Sequence, residues 1–435
     1  MAIVAFWLAL IFFVGCLASV WWILLVDHGD LKEEDDPAGE DFDNPLAGAD
    51  GFTKKRKKKP AGKPVVIRKR APVETPDPTW DGQPSSLLVR ELKGHTAQVT
   101  GVAFSNDGRF VATASEDRTV RITYLDTIKD SSPRYIRVGI ELDHVTALAF
   151  SDNSKRLVCA TAKSKEICFY NIPTEKESKA GGGKAELLKS FPSGHEEPVT
   201  KILLLDVDKW MVIVTCACGS TETGIRFLNP RGDCLATLDT NQRTNYTMEA
   251  SADNRFLAVG AGMPEVKVLE VSRNKDGEFS QVARAMTLSG GHTKGVHGVS
   301  FNPESTRVVT ASIDGSWALW DTSVRYNLDE DPRKMEHHTS KDAMNSKYSA
   351  AALGGEDSKV VALSSGRHMF FFAVGEGSGK QVESVGAAHG SLGTSILSMQ
   401  ASKDGKLLAT TAAGDSRARL WRFPRSGGAS SSSSG

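Results

Sequence analysis

The amino-acid sequence predicts an all-β fold: a seven-bladed propeller of four-stranded sheets, preceded by one transmembrane helix and a disordered linker. Three observations carry this. A degenerate pattern recurs roughly every 40 residues from Lys93 to Phe423. Within the copies, short apolar–polar alternations are broken by turn dipeptides such as Asp107-Gly108 and Asp404-Gly405, where hairpins need them. Upstream, residues 2–26 are apolar without a single charge.

The copies align on a turn aspartate and an aromatic residue six positions later. The fifth is the clearest: Gly291-His292, strands at 297–301 and 308–312, the turn Asp314-Gly315, then Trp320-Asp321. The seventh has His389, Asp415 and Trp421. The first has His95 and Asp117, with Thr123 in place of the tryptophan. The second opens Leu142-Asp143-His144, has Ser164 at the turn and ends on Tyr170. The third has His195, Glu222 and Leu228. The fourth lacks Gly-His; it carries Asn241-Gln242 and ends on Leu269. The sixth is the faintest, with residues 360–363 and 369–372 left to recognise. This order of residues is the pattern of a WD40 blade.

The residue types have a physical reason. A histidine, a Ser or Thr on a central strand, the turn aspartate and the tryptophan form a buried hydrogen-bonded network, because buried polar groups must be satisfied. In the fifth blade the members are His292, Thr310 or Ser312, Asp314 and Trp320. His389, Asp415 and Trp421 repeat them in the seventh; His95 and Asp117 keep part of the set in the first. Blades lacking a member must lean on packing, so the first is expected to tolerate loss of Asp117 better than the fifth tolerates loss of Asp314. In the first inner strand, Val99, Gly101 and Ala103 fall on one face and Thr100, Val102 and Phe104 on the other. Radial sheets leave an open seam unless one blade takes strands from both chain ends. The segment 87–92 is the natural donor of the last blade's outer strand.

Net charge is zero but unevenly spread: residues 27–50 carry ten acidic and one basic side chain, residues 51–73 ten basic and no acidic. Composition therefore predicts a disordered linker over 27–84, the propeller over 85–424 and a disordered Ser/Gly tail over 425–435. Residues 1–26, at about 1.5 Å per residue, are long enough to cross a hydrocarbon core of roughly 30 Å. No basic n-region or cleavage site marks a signal peptide, so the segment is expected to stay as a membrane anchor. The Lys/Arg bias and six cysteines without disulfide or metal spacing place the propeller in the cytosol. A sequon at Asn245-Tyr246-Thr247 would then stay bare.

Lys54, Lys55, Arg56, Lys57, Lys58 and Lys59 form a basic run in the linker. Three roles are open to it: solvated spacer, contact with anionic lipid head groups, or binding of RNA or a ribosome by counterion release. No aromatic residues are interleaved to stack bases, which argues against sequence-specific RNA reading.

Catalytic constellations are missing from the sequence. Gly181-Gly182-Gly183-Lys184 is followed by Ala185, where a phosphate loop needs Ser or Thr. His337-His338 lie in a polar stretch, and Arg231-Gly232-Asp233 reads as a tight turn between the third and fourth blades. The expectation is a protein that is not an enzyme and holds no cofactor or metal.

Beyond the blade pattern, the chain resembles the transducin beta-like protein 2 family. The resemblance is carried by residues 141–144, Thr240-Asn241-Gln242, residues 264–268, Gly277-Glu278-Phe279 with Arg284-Ala285, and residues 314–321 followed by Thr322, Val324, Tyr326, Asp331 and Pro332. It implies an endoplasmic reticulum membrane protein whose cytosolic propeller binds protein partners in stress signalling and control of translation. Thr123 and Leu269, where tryptophans are expected, and the Ser/Gly tail depart from the pattern. The expected function is a membrane-tethered scaffold. An RNA- or ribosome-associated factor acting through the basic run is the alternative.

Overall fold

The computed structural model describes residues 85–173, 184–207, 210–218, 222–328, 330–340, 347–375, 379–386, 388–389 and 394–425. The expected anchor, linker and basic run, the glycines at 181–183 and nearly all of the Ser/Gly tail lie outside these residues. Among the described residues, seven four-stranded antiparallel sheets follow one another along the chain. Their inner strands neighbour one another in sequence order, from Val99–Phe104 to Ile396–Ala401, which returns to touch Val99–Phe104. The ring is a seven-bladed propeller.

The amino-acid pattern explains why the sheets stack radially. Central strands such as Phe110–Ser115, Phe256–Ala261 and Val360–Ser365 are buried at every position. They are apolar on both faces, so each sheet needs a neighbour on either side. The core is accordingly seven apolar clusters, each shared by two adjacent blades. Phe110 stacks on Phe150 across the first interface at 6.3 Å, and Trp317 meets Phe372 across the fifth at 5.7 Å. Clean alternation survives on outer strands such as Tyr135–Gly139, whose second face meets solvent.

The strict alternation expected for the first inner strand does not hold. Its register slips between Val99 and Gly101, leaving Thr100 as a bulge. The same slip falls at Thr146, Thr200, Tyr246, His297 and Leu397. A bulge re-aims its side chain. Here Thr100 donates to the Val145 carbonyl of the next blade at 2.6 Å, and Thr146 does the same to Val199. The sixth blade has no slip and uses Ser349, whose hydroxyl donates to the Ile396 carbonyl at 3.3 Å. Hydroxyl-to-carbonyl bonds thus stitch the inner strands together at these three interfaces.

Closure follows the expected route. Leu88–Leu92 pairs antiparallel with Ala418–Arg422 and completes the seventh blade. Arg419 meets Glu91 at 3.0 Å, with Arg417 and Lys93 close by at 3.5 and 3.2 Å. Burial pushes the Glu91 carboxyl up, but Arg419 and Lys93 more than offset it and hold its pKa below the ordinary value. One placement differs from expectation. The turn at Arg231-Gly232-Asp233 joins Gly224–Leu228 to Cys234–Asp239, both within the third blade, because the third blade's outer strand begins only at Cys234. His337 and His338 sit on the outermost strand of the fifth blade, Arg333–Thr339, where His338 packs against Trp317 at 4.7 Å.

Candidate functional site

The blade networks lie on the face where the inner strands begin. In the fifth blade, His292 Nε2 lies 2.7 Å from Thr310 Oγ1, and Trp320 Nε1 donates to the same oxygen at 2.9 Å. His292 Nδ1 lies 2.7 Å from Ser316 Oγ, which donates onward to Asp314 at 2.5 Å. Thr310 is therefore the central-strand member. Ser312 is not: its hydroxyl donates to the Lys294 and Gly295 carbonyls. Ser316, unremarked in the sequence pattern, is the link that carries the histidine to the aspartate.

The other blades keep more of this network than the sequence promised. In the seventh, His389 spans Asp415 at 2.8 Å and Thr410 at 2.9 Å, and Trp421 donates to Thr410. In the first, His95 spans Asp117 at 3.0 Å and Thr113 at 2.9 Å without any tryptophan. In the third, Glu222 reaches His195 at 2.5 Å and Thr215 completes the bridge at 2.9 Å. The threonines missed in the sequence stand 18, 20 and 21 residues after their histidines, on the central strand of each blade. The second blade swaps the roles: Asp143 occupies the histidine's place and accepts from the Lys163 and Ser164 N–H groups and the Ser164 hydroxyl.

The electrostatics show what these groups can do. Burial pushes the four histidines below their ordinary pKa, His292 to about 4. Burial raises the Asp117 carboxyl, but hydrogen bonds from Thr119, the Thr96 N–H and His95 outweigh it and set its pKa to about 2. Asp314 is held lower still against burial by Ser316 and Thr293. Neutral imidazoles bonded to ionised carboxylates and threonine hydroxyls are committed to structure.

Two further sequence features take on meaning here. Asn245 of the sequon is 1% exposed. Its amide donates to the Thr223 carbonyl at 2.9 Å and accepts from Thr240 at 3.0 Å. A folded propeller cannot offer it to a glycosylating enzyme on either side of a membrane. Cys159, Cys168 and Cys216 are buried and free, and burial pushes their thiols up, Cys168 to about 11 and Cys216 to about 12.

The same face carries exposed apolar side chains. In three blades the residue before the network position has a left-handed backbone: Gly94, Gly194 and Asn241, with φ of 118°, 78° and 51°. A Cβ at Gly94 would also strike the Arg121 guanidinium. The second blade places Leu142 in this slot, with φ 56° and 83% of its surface exposed. A left-handed conformation costs a leucine about 1–2 kcal/mol, and here no burial offsets it. Tyr246, Met263 and Leu397 are also exposed on this face, beside the mouth of an axial channel that Tyr246 and Leu397 line.

Comparison with known proteins places these features in a family. The model of the WD domain, G-beta repeat, matches residues 86–123, 284–321 and 381–422. Transducin beta-like protein 2 of Mus musculus is 30% identical over 359 residues, covering 82% of this chain and 76% of that protein. The Homo sapiens protein of the same name is 31% identical over 286 residues, 66% of this chain and 62% of its own length. THO complex subunit 3 of Arabidopsis thaliana is 23% identical over 248 residues, 55% of this chain and 67% of that protein.

The geometry reverses the expected order of two substitutions. Removing Asp314 leaves His292 still bonded to Ser316, whereas removing Asp117 leaves the fully enclosed His95 Nδ1 with only Thr119 at 3.3 Å. Asp117→Ala should therefore cost about 2–4 kcal/mol and at least as much as Asp314→Ala; a smaller loss at Asp117 in urea melts would restore the sequence-based order. Stability should also depend on acidity. The histidines' folded pKa values lie below the unfolded value of 6.5, so the unfolded state binds more protons as pH falls. Stability should drop from pH 6.5 towards about 4, the folded value of His292. A further drop should come between 3.8 and about 2 as Asp117 protonates. A urea midpoint unchanged between pH 7.5 and 5 would contradict this.

Proposed function

This chain belongs to the transducin beta-like protein 2 family, and from that premise we propose that it is a non-catalytic scaffold held at the endoplasmic reticulum membrane by residues 1–26, with its propeller in the cytosol. Its partners are proteins that serve stress signalling and control of translation. The uncharged apolar segment at 2–26 supports the tether, and the family's resemblance supports the compartment and the process.

The observation that carries the scaffold reading is Leu142. It adopts a backbone that other blades assign to Gly or Asn, and it buries nothing. Strain of this kind persists where the surrounding structure enforces it, and it concentrates at functional sites. Asp143, held by Lys163 and Ser164, supplies the enforcement. A leucine retained there is explained by a partner that covers it, since an apolar side chain gains free energy when water is removed from it.

The experiment is cross-linking of the full chain in sealed microsomes, followed by mass spectrometry, with protease added outside. The propeller should be cleaved, and partners should be captured. Leu142→Gly should raise stability by up to about 1 kcal/mol, because glycine adopts this backbone freely, while capture falls. A propeller protected from protease would reverse the topology. Undiminished capture by the glycine variant would move the contact elsewhere.

A second reading, association with RNA or a ribosome, rests on the switch from acidic to basic composition at residue 51. Changing Lys54, Lys55, Arg56, Lys57, Lys58 and Lys59 to Gln should weaken co-sedimentation with ribosomes or anionic vesicles and flatten its salt dependence. Equal sedimentation of both proteins at low and high salt would make the run a spacer.

A further inference from the structure

The inner strands line an axial channel of 610 Å³, within the size range of small-ligand sites. Its titratable strand residues are confined to three consecutive blades: Lys201 in the third, Tyr246 and Glu249 in the fourth, His297 in the fifth. Tyr246 and His297 stack at 4.0 Å between ring centroids, at the mouth where the inner strands begin. Lys201 stands one residue further in.

That position is otherwise kept small. Gly101, Ala147, Thr247, Gly298, Ala350 and Ser398 occupy it in the other six blades. Lys201 is half-buried, and its ammonium has no hydrogen bond or ion pair among the described residues. Burial pushes its pKa down, opposed by the field of Glu249 and, more weakly, Cys216. Glu249 is not close enough to pair with it; its carboxylate accepts from the Ser300 hydroxyl at 3.3 Å. Burial pushes the Glu249 carboxyl up to about 7, against Lys201 and the Ser300 and Phe301 bonds. Lys201 is only half-buried and lines the channel, so its ammonium can be reached from the channel by a charged ligand. The other six blades fill this position with Gly, Ala, Ser or Thr, so the ring does not call for a long side chain there.

We propose that Lys201, Glu249, Tyr246 and His297 form a carboxylate-binding site, entered past the stacked rings, in which the ligand's carboxylate pairs with the Lys201 ammonium. One ammonium matches one carboxylate. A phosphate dianion would leave charge unmatched beside Glu249. When Glu249 carries its proton it donates a hydrogen bond to the bound carboxylate, and the planar rings at the mouth pack against the ligand's carbon skeleton. The same chemistry is offered by a partner's acidic side chain or chain end and by a small free carboxylic acid. The site stands apart from Leu142, so its failure leaves the scaffold reading intact.

The test is isothermal titration of the full chain in detergent with two probes. One is benzoate; the other is an acetylated hexapeptide with a free C-terminal carboxylate, compared with its amide. At least one carboxylate should bind and the amide should not. Lys201→Met should weaken binding by at least about tenfold, and Lys201→Arg should retain it. Glu249→Gln should not weaken it, since the amide still donates. Should the Met variant fail to fold, Tyr246→Ala with His297→Ala at the mouth should weaken binding as well. Binding of benzoate alone assigns the site to small acids; binding of the peptide alone assigns it to a partner chain. No heat with either probe up to about 10 mM, equal binding by a folded Lys201→Met, or tighter binding of inorganic phosphate would overturn the proposal.

Discussion

Each blade has two apolar faces and can bury neither alone. Phe110–Ser115 and Phe256–Ala261 are buried throughout only because sheets stand on both sides of them. Stability is therefore a property of interfaces, as in other repeat architectures, with one difference: a ring has no terminal repeat to cap. The pairing of Leu88–Leu92 with Ala418–Arg422 removes the seam, and the cluster of Glu91 with Arg419 fixes it. Everything else in the propeller presupposes that closure.

Shared burial also explains how the polar networks could erode. The sixth blade has no histidine in the network position, yet Ala352, Val361, Leu363 and Phe371 remain almost wholly buried against neighbours. The apolar interface does the larger share, and the network adds precision at one face. Where a network persists, it does so by chemistry and not by residue identity. Glu222 replaces an aspartate by reaching further, and Asp143 with Ser164 reverses which side brings the carboxylate.

Most of the architecture was legible in the sequence, including the seven blades and the donor of the closing strand, because repetition let strong copies identify weak ones. What was not legible has physical causes. Alternation fails on central strands buried on both faces, and at Thr100 a bulge resets the register. A hydrogen-bond link such as Ser316 leaves no periodic trace, since any short hydroxyl near the turn could have served. Asn245 reads as a sequon in the sequence but as a core amide in the fold. Lys201 reads as an ordinary strand lysine in the sequence, and only the ring sets it beside the small residues of the equivalent positions.

The departures from the repeat are not scattered evenly. Leu142, Lys201, Tyr246, Glu249 and His297 all fall in the second to fifth blades, while the inner strands of the first, sixth and seventh carry no charged or aromatic residue on the axis other than Phe104 and are otherwise Thr, Ser, Gly, Ala, Gln400 and aliphatic residues. In a ring built from equivalent positions, each blade reports what packing alone requires. A glycine slot filled by an exposed leucine works against the local free energy, and a small-residue slot filled by a lysine with no hydrogen bond or ion pair among the described residues adds nothing to the packing. Departures of this kind concentrate at sites that are strained or serve something outside the fold. The propeller's own regularity is thus the control against which the proposed contacts stand out: Leu142 on one face, and the channel wall of the third to fifth blades.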